Sequence, residues 1–275
     1  MYYYFFSLPK NDKNRGCVYL PHKESARLPV MIYCQGFGSA LQPKRVMEDL
    51  LDFAVNKKKM AFVVIDLYGC GGYNPRQGEY AAQGNPEKMT YARWKDNLSD
   101  VFSWVKAKKF SDNSKIGFYA YGTATAAALR FAAESDELAY LISTGTCATD
   151  HIGMGNGGPA KLLSDNIKKL QNGETVEFMG INFGLDFFID AVSNAPVHNI
   201  SEINCPLLFL QGETDNPYSK ADALVAFELI KLMNPDTKSK HITFEGGDYC
   251  LYNVKEKAVE EVFAWLDGIG VLSSD

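Results

Sequence analysis

Histidine is scarce in this chain, four residues in 275, which restricts every chemistry that needs an imidazole base or a nitrogen-ligated metal. The six cysteines, at positions 17, 34, 70, 147, 205 and 250, form no CxxC pair and no zinc-type spacing, so no metal is implied and free thiols in a reducing compartment are expected. No apolar run approaches the ~20 residues of a membrane-spanning helix. Basic residues are outnumbered, 28 Lys and Arg against 33 Asp and Glu, and the resulting net charge of −5 with a pI near 5.5 argues against nucleic acid or an anionic membrane as the main partner. The opening Met1-Tyr2-Tyr3-Tyr4-Phe5-Phe6 is apolar but has no basic n-region and runs straight into Pro9-Lys10-Asn11-Asp12-Lys13, so it reads as a first strand and not a secretory leader. Cytoplasmic residence is the default that follows. The glycine-rich Gly153-Met154-Gly155-Asn156-Gly157-Gly158-Pro159 does not follow the strand, GxGxxG, helix order of a dinucleotide site; it reads as entry into an inserted segment, and no cofactor is implied.

What is present is an alternation of strand and helix. Apolar runs predict strands near 30–34, 61–66, 116–120, 139–143, 206–211 and 240–244, with Gly16 to Leu20 as hairpin partner of the opening strand. Between them, 3.6-residue periodicity predicts helices near 43–56, 91–108, 123–134, 219–233 and 254–267. This order implies parallel pairing and right-handed crossovers. In the helix 91–108, Trp94, Leu98, Val101, Phe102 and Val105 fall on one stripe, a core face. The composition changes between Thr149 and Ile203, where a helix-like Ala160–Gln171, a strand-like Thr175–Met179 and the aromatics Phe183, Phe187 and Phe188 follow one another.

One junction organises the rest. Ile116-Gly117-Phe118-Tyr119-Ala120-Tyr121 passes without a spacer into Gly122-Thr123-Ala124-Thr125-Ala126-Ala127-Ala128, a strand turning sharply into an Ala-rich helix. In a nucleophile elbow the residues two before and two after the nucleophile are small because strand and helix nearly touch. Ala120 and Ala124 meet that demand, and the central position is Gly122. Glycine adopts the strained elbow conformation at little cost, so the turn can persist while the reactive atom is absent.

Four motifs in order resemble the α/β-hydrolases, and most of all the small bacterial feruloyl and cinnamoyl esterases. Val30-Met31-Ile32-Tyr33-Cys34-Gln35-Gly36-Phe37-Gly38 resembles the strand and oxyanion loop written His-Gly-Phe, with Gln35 for the His. Ile65-Asp66-Leu67-Tyr68-Gly69-Cys70-Gly71-Gly72 resembles the Asp-x-x-Gly-x-Gly turn. Leu208-Phe209-Leu210-Gln211-Gly212-Glu213-Thr214-Asp215 resembles the strand ending in the triad acid, and Phe244-Glu245-Gly246-Gly247-Asp248-Tyr249-Cys250 resembles Glu-Gly-Ala-Asp-His-Cys, with Tyr249 for the general base. The resemblance implies an α/β-hydrolase fold, a mostly parallel central sheet flanked by helices. Residues 1–148 and 204–275 would form its core and 149–203 an inserted lid.

Acyl transfer on such a scaffold needs a nucleophile, a base, an acid that orients the base, and oxyanion donors. The resemblance assigns Asp215 as the acid, Gly122 as the substituted nucleophile position, Tyr249 as the substituted base position, and the backbone N–H groups of Phe37 and Thr123 as oxyanion donors. A phenol with a pKa near 10 is no base at neutral pH, and an adjacent carboxylate raises it further; a Tyr249 hydroxyl donating to Asp215 is expected instead. Gln35, Tyr121, Cys147, His151, Met179, Phe183 and Phe187 are the expected pocket residues, the last three either lining it or packing the insert onto the body. Three functions follow as alternatives: an inactive esterase homologue that binds a small aromatic, phenolic-ester or carboxylate ligand; an ester hydrolase using Cys34, Cys147, Cys250 or a bound water; or a structural or protein-interaction module. Self-association is left open.

Overall fold

Eight strands line up in one sheet among the residues that this computed structural model describes, which are 1–8, 15–36, 46–69, 73–74, 79–80, 84–149, 158–178, 181–215 and 217–272. The strands of that sheet are β1 (Tyr2–Ser7), β2 (Arg15–Leu20), β3 (Leu28–Gln35), β4 (Ala61–Asp66), β7 (Ser111–Tyr121), β8 (Tyr140–Thr144), β11 (Leu207–Gly212) and β12 (Lys240–Phe244); two short hairpins lie apart from it, β5 (Tyr73–Asn74) with β6 (Glu79–Tyr80), and β9 (Val176–Phe178) with β10 (Ile181–Phe183). The helices are α1 (Val46–Asp52), α2 (Tyr91–Lys106), α3 (Ala124–Glu134), α4 (Gly158–Gln171), α5 (Leu185–Ser193), α6 (Pro217–Met233) and α7 (Lys255–Gly268).

The spatial order is β1-β2-β4-β3-β7-β8-β11-β12. From β4 to β12 all neighbours are parallel, while β1 and β2 form an antiparallel border on β4. The apolar runs became these strands because both sheet faces are covered, so no alternation with polar residues is needed. Val30, Ile32 and Cys34 enter the core on the face covered by α2, α3, α5 and α6, whereas Met31 and Tyr33 enter the opposite core with α1 and α7 residues. The expected stripe of α2 is buried as a unit, and Thr90 caps this helix by accepting the Arg93 N–H.

The expected elements are present, with shifted ends. The longest change is in β7, which begins at Ser111: Leu28 pairs Ser111 and Val30 pairs Ile116, so the extra residues of the bulge lie in β7. The helix expected over 43–56 is described as α1 followed by a π turn at Phe53–Lys57. Residues 158–202, between β8 and β11, fold as α4, the β9/β10 hairpin, α5 and a 3-10 stretch at Pro196–Glu202. Their aromatic residues Phe178, Phe183, Phe187 and Phe188 are buried in the same core as the sheet.

Candidate functional site

Parallel strands deliver their C-terminal ends to one edge, and that edge gathers the motif residues. Gly36 follows β3, Gly122 follows β7, Gly145 follows β8, Asp215 follows β11 and Tyr249 follows β12. The ends are stitched together through the backbone: the Gly36 N–H donates to Tyr121 O at 3.0 Å and the Gly122 N–H donates to Thr144 O at 2.8 Å.

Gly122 has φ of +60°, the left-handed conformation of a strand-to-helix elbow, and with Thr123 it joins the end of β7 to the start of α3. Thr125 in the first turn of α3 donates its hydroxyl to Gly122 O at 2.7 Å and accepts the Cys147 N–H at 2.7 Å, tying the elbow to the loop after β8. Thr123 is buried and crowds Gly36, where an added methyl group would collide with its side chain.

Tyr249 fills the space in front of the elbow. A Cβ placed on Gly122 would lie 2.9 Å from the Tyr249 hydroxyl, and one placed on Gly145, also at positive φ (+63°), would lie 2.7 Å from its ring and 2.9 Å from its hydroxyl. A side chain at either glycine would displace the phenol from this position. Its ring meets the Tyr121 ring at 5.5 Å, and the Tyr121 hydroxyl lies 2.8 Å from Cys250 Sγ. Tyr249 remains 37 % exposed, so solvent reaches the ring. Burial of its polar end, helped by Cys147, Asp215 and Cys250, pushes the phenol further above its ordinary range, so it keeps its proton.

Asp215 is buried beside this group. Among the described residues, the side-chain hydrogen bond recorded to it comes from Gln211 Nε2, which donates to Oδ2. The expected phenol-to-carboxylate bond is not among them, because the Tyr249 hydroxyl is drawn up over the two glycines. The loop bearing Tyr249 is nonetheless fixed to the Asp215 turn: the Thr214 N–H and hydroxyl both donate to Gly247 O, at 2.9 and 2.8 Å. Burial, with Asp222 as the next cause, pushes the Cys147 thiol up to about 12, the opposite of an activated nucleophile. Cys34 is buried with its thiol on Tyr119 O at 3.6 Å.

Phe183 and Phe187 are fully buried and stack on each other at 4.1 Å; Phe187 also meets Tyr91 at 5.5 Å. Burial holds the Tyr91 phenol well above its ordinary range, and Cys147 and Tyr249 are close enough to add to this, so the aromatic core of the insert stands near the elbow. Phe37, His151 and Met179 lie outside the described residues, as does the side chain of Gln35. Of the other histidines, His22 follows β2 and His241 opens β12, at the opposite edge, and His198 is exposed. Among the described residues no cluster of three His, Cys, Asp or Glu is placed to hold a metal ion, and no helix is long and apolar enough to cross a membrane.

Sequence reasoning missed three contributors. Gly145 follows a strand end, a signal it shares with Gly36 and Gly122. Gln211 interrupts an otherwise apolar strand, and Asp222 lies one turn into α6, where it accepts from the Ala148 N–H at 2.9 Å and the Thr149 hydroxyl at 2.7 Å.

No protein-family model matches the chain, and no curated protein matches it. Solved structures do. Est1E from Butyrivibrio proteoclasticus, with ferulic acid bound, superposes with a TM-score of 0.71 at 18% identity over 93% of this chain and 96% of its own. DcsB in complex with a substrate analogue gives 0.74 at 14% identity over 97% and 99%, and the esterase of Pyrobaculum calidifontis gives 0.64 at 15% identity over 98% and 86%. At such identities the fold is what is shared, and this chain has the α/β-hydrolase fold.

Proposed function

We propose that this protein is a small-molecule-binding member of the α/β-hydrolase scaffold that has lost serine-esterase chemistry. The observation that carries this reading is the Tyr249 hydroxyl, 2.9 Å from where a side chain on Gly122 would begin. A serine there would need that volume for its oxygen and an imidazole at 249 to take its proton; the chain offers a glycine and a phenol that holds its own proton. The acid position, Asp215, and the elbow backbone remain assembled, which supports descent of the site from working machinery. Half-exposed Tyr249 and the adjacent Tyr121 and Tyr91 favour an aromatic, ester-like ligand, in keeping with the ferulic acid held by Est1E. In this reading residues 149–203 cover the site, with Phe183 and Phe187 fixing the cover to the body, and the protein works in the cytoplasm.

Hydrolysis of a short-chain p-nitrophenyl ester panel by the wild type and by a Gly122→Ser, Tyr249→His double variant tests this. The wild type should stay at the uncatalysed background and the double variant should gain turnover, since it restores nucleophile and base while removing the phenol that would crowd them. Turnover by the wild type well above background overturns the reading, and its loss on thiol alkylation would then point to a cysteine nucleophile in spite of the raised Cys147.

A further inference from the structure

Net charge averages over a chain whose bases are unevenly placed. Three stretches, 21–29, 57–60 and 106–116, hold nine of its 28 Lys and Arg and two of its 33 Asp and Glu, so elsewhere acids outnumber bases by 31 to 19. The fold brings these stretches to one edge, the N-terminal ends of the parallel strands, opposite the edge that carries the elbow. Lys57-Lys58-Lys59 lead into β4, and Lys23 and Arg27 lie in the turn from the end of β2 to the start of β3. Lys106 ends α2, Lys108 and Lys109 follow it into β7, and Lys115 precedes Ile116, the partner of Val30. Strand β3 neighbours both β4 and β7, so its start gathers the three groups: Val30 pairs Ala61 on one side, and on the other the Arg27 N–H donates to Lys109 O at 3.1 Å.

Few carboxylates answer this charge. Lys106 pairs Glu137, Asp52 near the end of α1 accepts from Asn56, and Glu24 is exposed. Asp112 is held below its ordinary range by Ser114 first and then by Lys115 and Arg27. Lys23, Arg27, Lys57, Lys58, Lys59 and Lys109 are exposed, and the Lys59 ammonium donates to the neutral Asn56 O at 2.8 Å. Backbone strain falls here too. Among the described residues three that are not glycine take a positive φ, and two of them are Arg27 (+54°) and Lys59 (+56°), at the approaches to the neighbouring strands β3 and β4. Glycine would take that conformation at less cost, and a cation kept in it twice on one edge points to use of the charge.

Beside this band, the edge strand β1 turns Tyr3 and Phe5 to solvent, 58 % and 67 % exposed. Tyr3 pairs Tyr19, one residue before the end of β2, and the two rings meet at 5.9 Å. Lysines with exposed aromatic rings alongside suit a bilayer surface, where anionic headgroups take the charge and the interface takes the rings. At physiological salt a charge is felt over about 8 Å, so a bilayer touching this edge meets the lysines and not the acids of the far side. Eight of the nine cations are lysines, point charges without the planar fork that reads individual phosphates or base edges, which favours a diffuse headgroup field over nucleic acid.

We propose that this edge is a docking surface for an anionic lipid bilayer, held by the lysine band with Tyr3 and Phe5 entering the headgroup region, so that the elbow faces the aqueous side whatever it binds.

Flotation with vesicles of phosphatidylcholine alone, and of phosphatidylcholine with about a third phosphatidylserine, at about 0.1 M and about 0.5 M NaCl, tests it. The wild type should float with the phosphatidylserine vesicles at the lower salt, be released at the higher, and stay behind with phosphatidylcholine alone. Lys57→Glu, Lys58→Glu and Lys109→Glu together should lower the partition coefficient at least about tenfold. Lys168→Glu, Lys169→Glu and Lys257→Glu, an equal change of net charge on α4 and α7, should leave it unchanged. Tyr3→Ser with Phe5→Ser should lower it about threefold or more. The wild-type comparison needs no variant to fold. A wild type that ignores phosphatidylserine, or a partition indifferent to reversal of the band, overturns the inference, and retention by a DNA duplex in the first case would assign the band to nucleic acid instead.

Discussion

Gly122 and Tyr249 are a matched pair at the level of single side chains. The left-handed backbone at Gly122 costs an L-residue roughly 1–2 kcal/mol, and any Cβ there also presses on the Tyr249 hydroxyl. Gly122→Ala should therefore destabilise the protein by about 1–2 kcal/mol from backbone conformation alone, with an added amount from displacing the phenol. In a Tyr249→Ala background the added amount disappears, so a double-mutant cycle by urea denaturation should give a coupling of at least about 0.5 kcal/mol. Equal costs of Gly122→Ala in both backgrounds would show that the two residues do not contact. Both substitutions could be read in the sequence, since Gly122 sits between Ala120 and Ala124 and Tyr249 follows Gly246-Gly247-Asp248. Their contact could not: it depends on Gly145, which comes from a third strand, and on the hydroxyl rising over two glycines instead of reaching Asp215.

Elements were legible where periodicity is strong. The apolar runs at 30–34 and 61–66 and the stripe of α2 carry one pattern over their whole length, and each formed the element it implies. The ends were less legible because they are set by partners distant in sequence, as when β7 is lengthened by pairing with Leu28. Helix α5 is an aromatic patch to sequence reading: the adjacent Phe187 and Phe188 are both fully buried, and Asp190, at helical spacing from Asp186, is buried with them, so the short polar stripe does not mark a solvent face. Ion pairs between elements leave no local trace either. Arg15 in β2 and Asp66 in β4 are cross-strand partners, with Arg15 Nη2 on Asp66 Oδ2 at 3.0 Å, and Asp66 is buried enough that desolvation outweighs the arginine and raises its pKa to about 6. The unfolded chain would release that proton near 3.8, so between these values the folded state binds the proton that the unfolded state has lost. This contribution is greatest at and below about pH 4 and is lost as the pH rises through 6, with a slope of up to about 1.4 kcal/mol per pH unit. Asp66→Asn removes it, so the stability of the variant relative to wild type should rise by on the order of 3 kcal/mol from pH 4 to pH 7. Parallel denaturation series at the two pH values measure this, and a difference that stays flat, or rises toward acid, would show that Asp66 titrates low in the folded state.

At the scale of the molecule, the chain leaves its sheet after β8 and returns at β11, and what it builds in between is not a separable cover. Phe178, Phe183, Phe187 and Phe188 share one continuous core with α2, α3 and the sheet. The same contact is reinforced by a buried ion pair: Arg130 of α3 donates to both carboxylate oxygens of Asp190 of α5, at 2.9 and 3.1 Å, and to its backbone carbonyl at 3.0 Å, while Asp190 also accepts from the Ala92 N–H of α2 at 3.0 Å. Swinging α5 away would expose those rings and strand a buried guanidinium, so α5 is held shut by the terms that hold the fold together. It follows that α5 should not open before the sheet does. In native-state hydrogen exchange, the slowest amides of α5 should report the same opening free energy as those of β7 and β8. Asp190→Asn, which keeps the shape but leaves Arg130 without its counter-charge, should lower stability by about 3–5 kcal/mol and release α5 as an earlier opening. Amides of α5 that already exchange well ahead of the sheet in the wild type would show instead that this helix moves by itself.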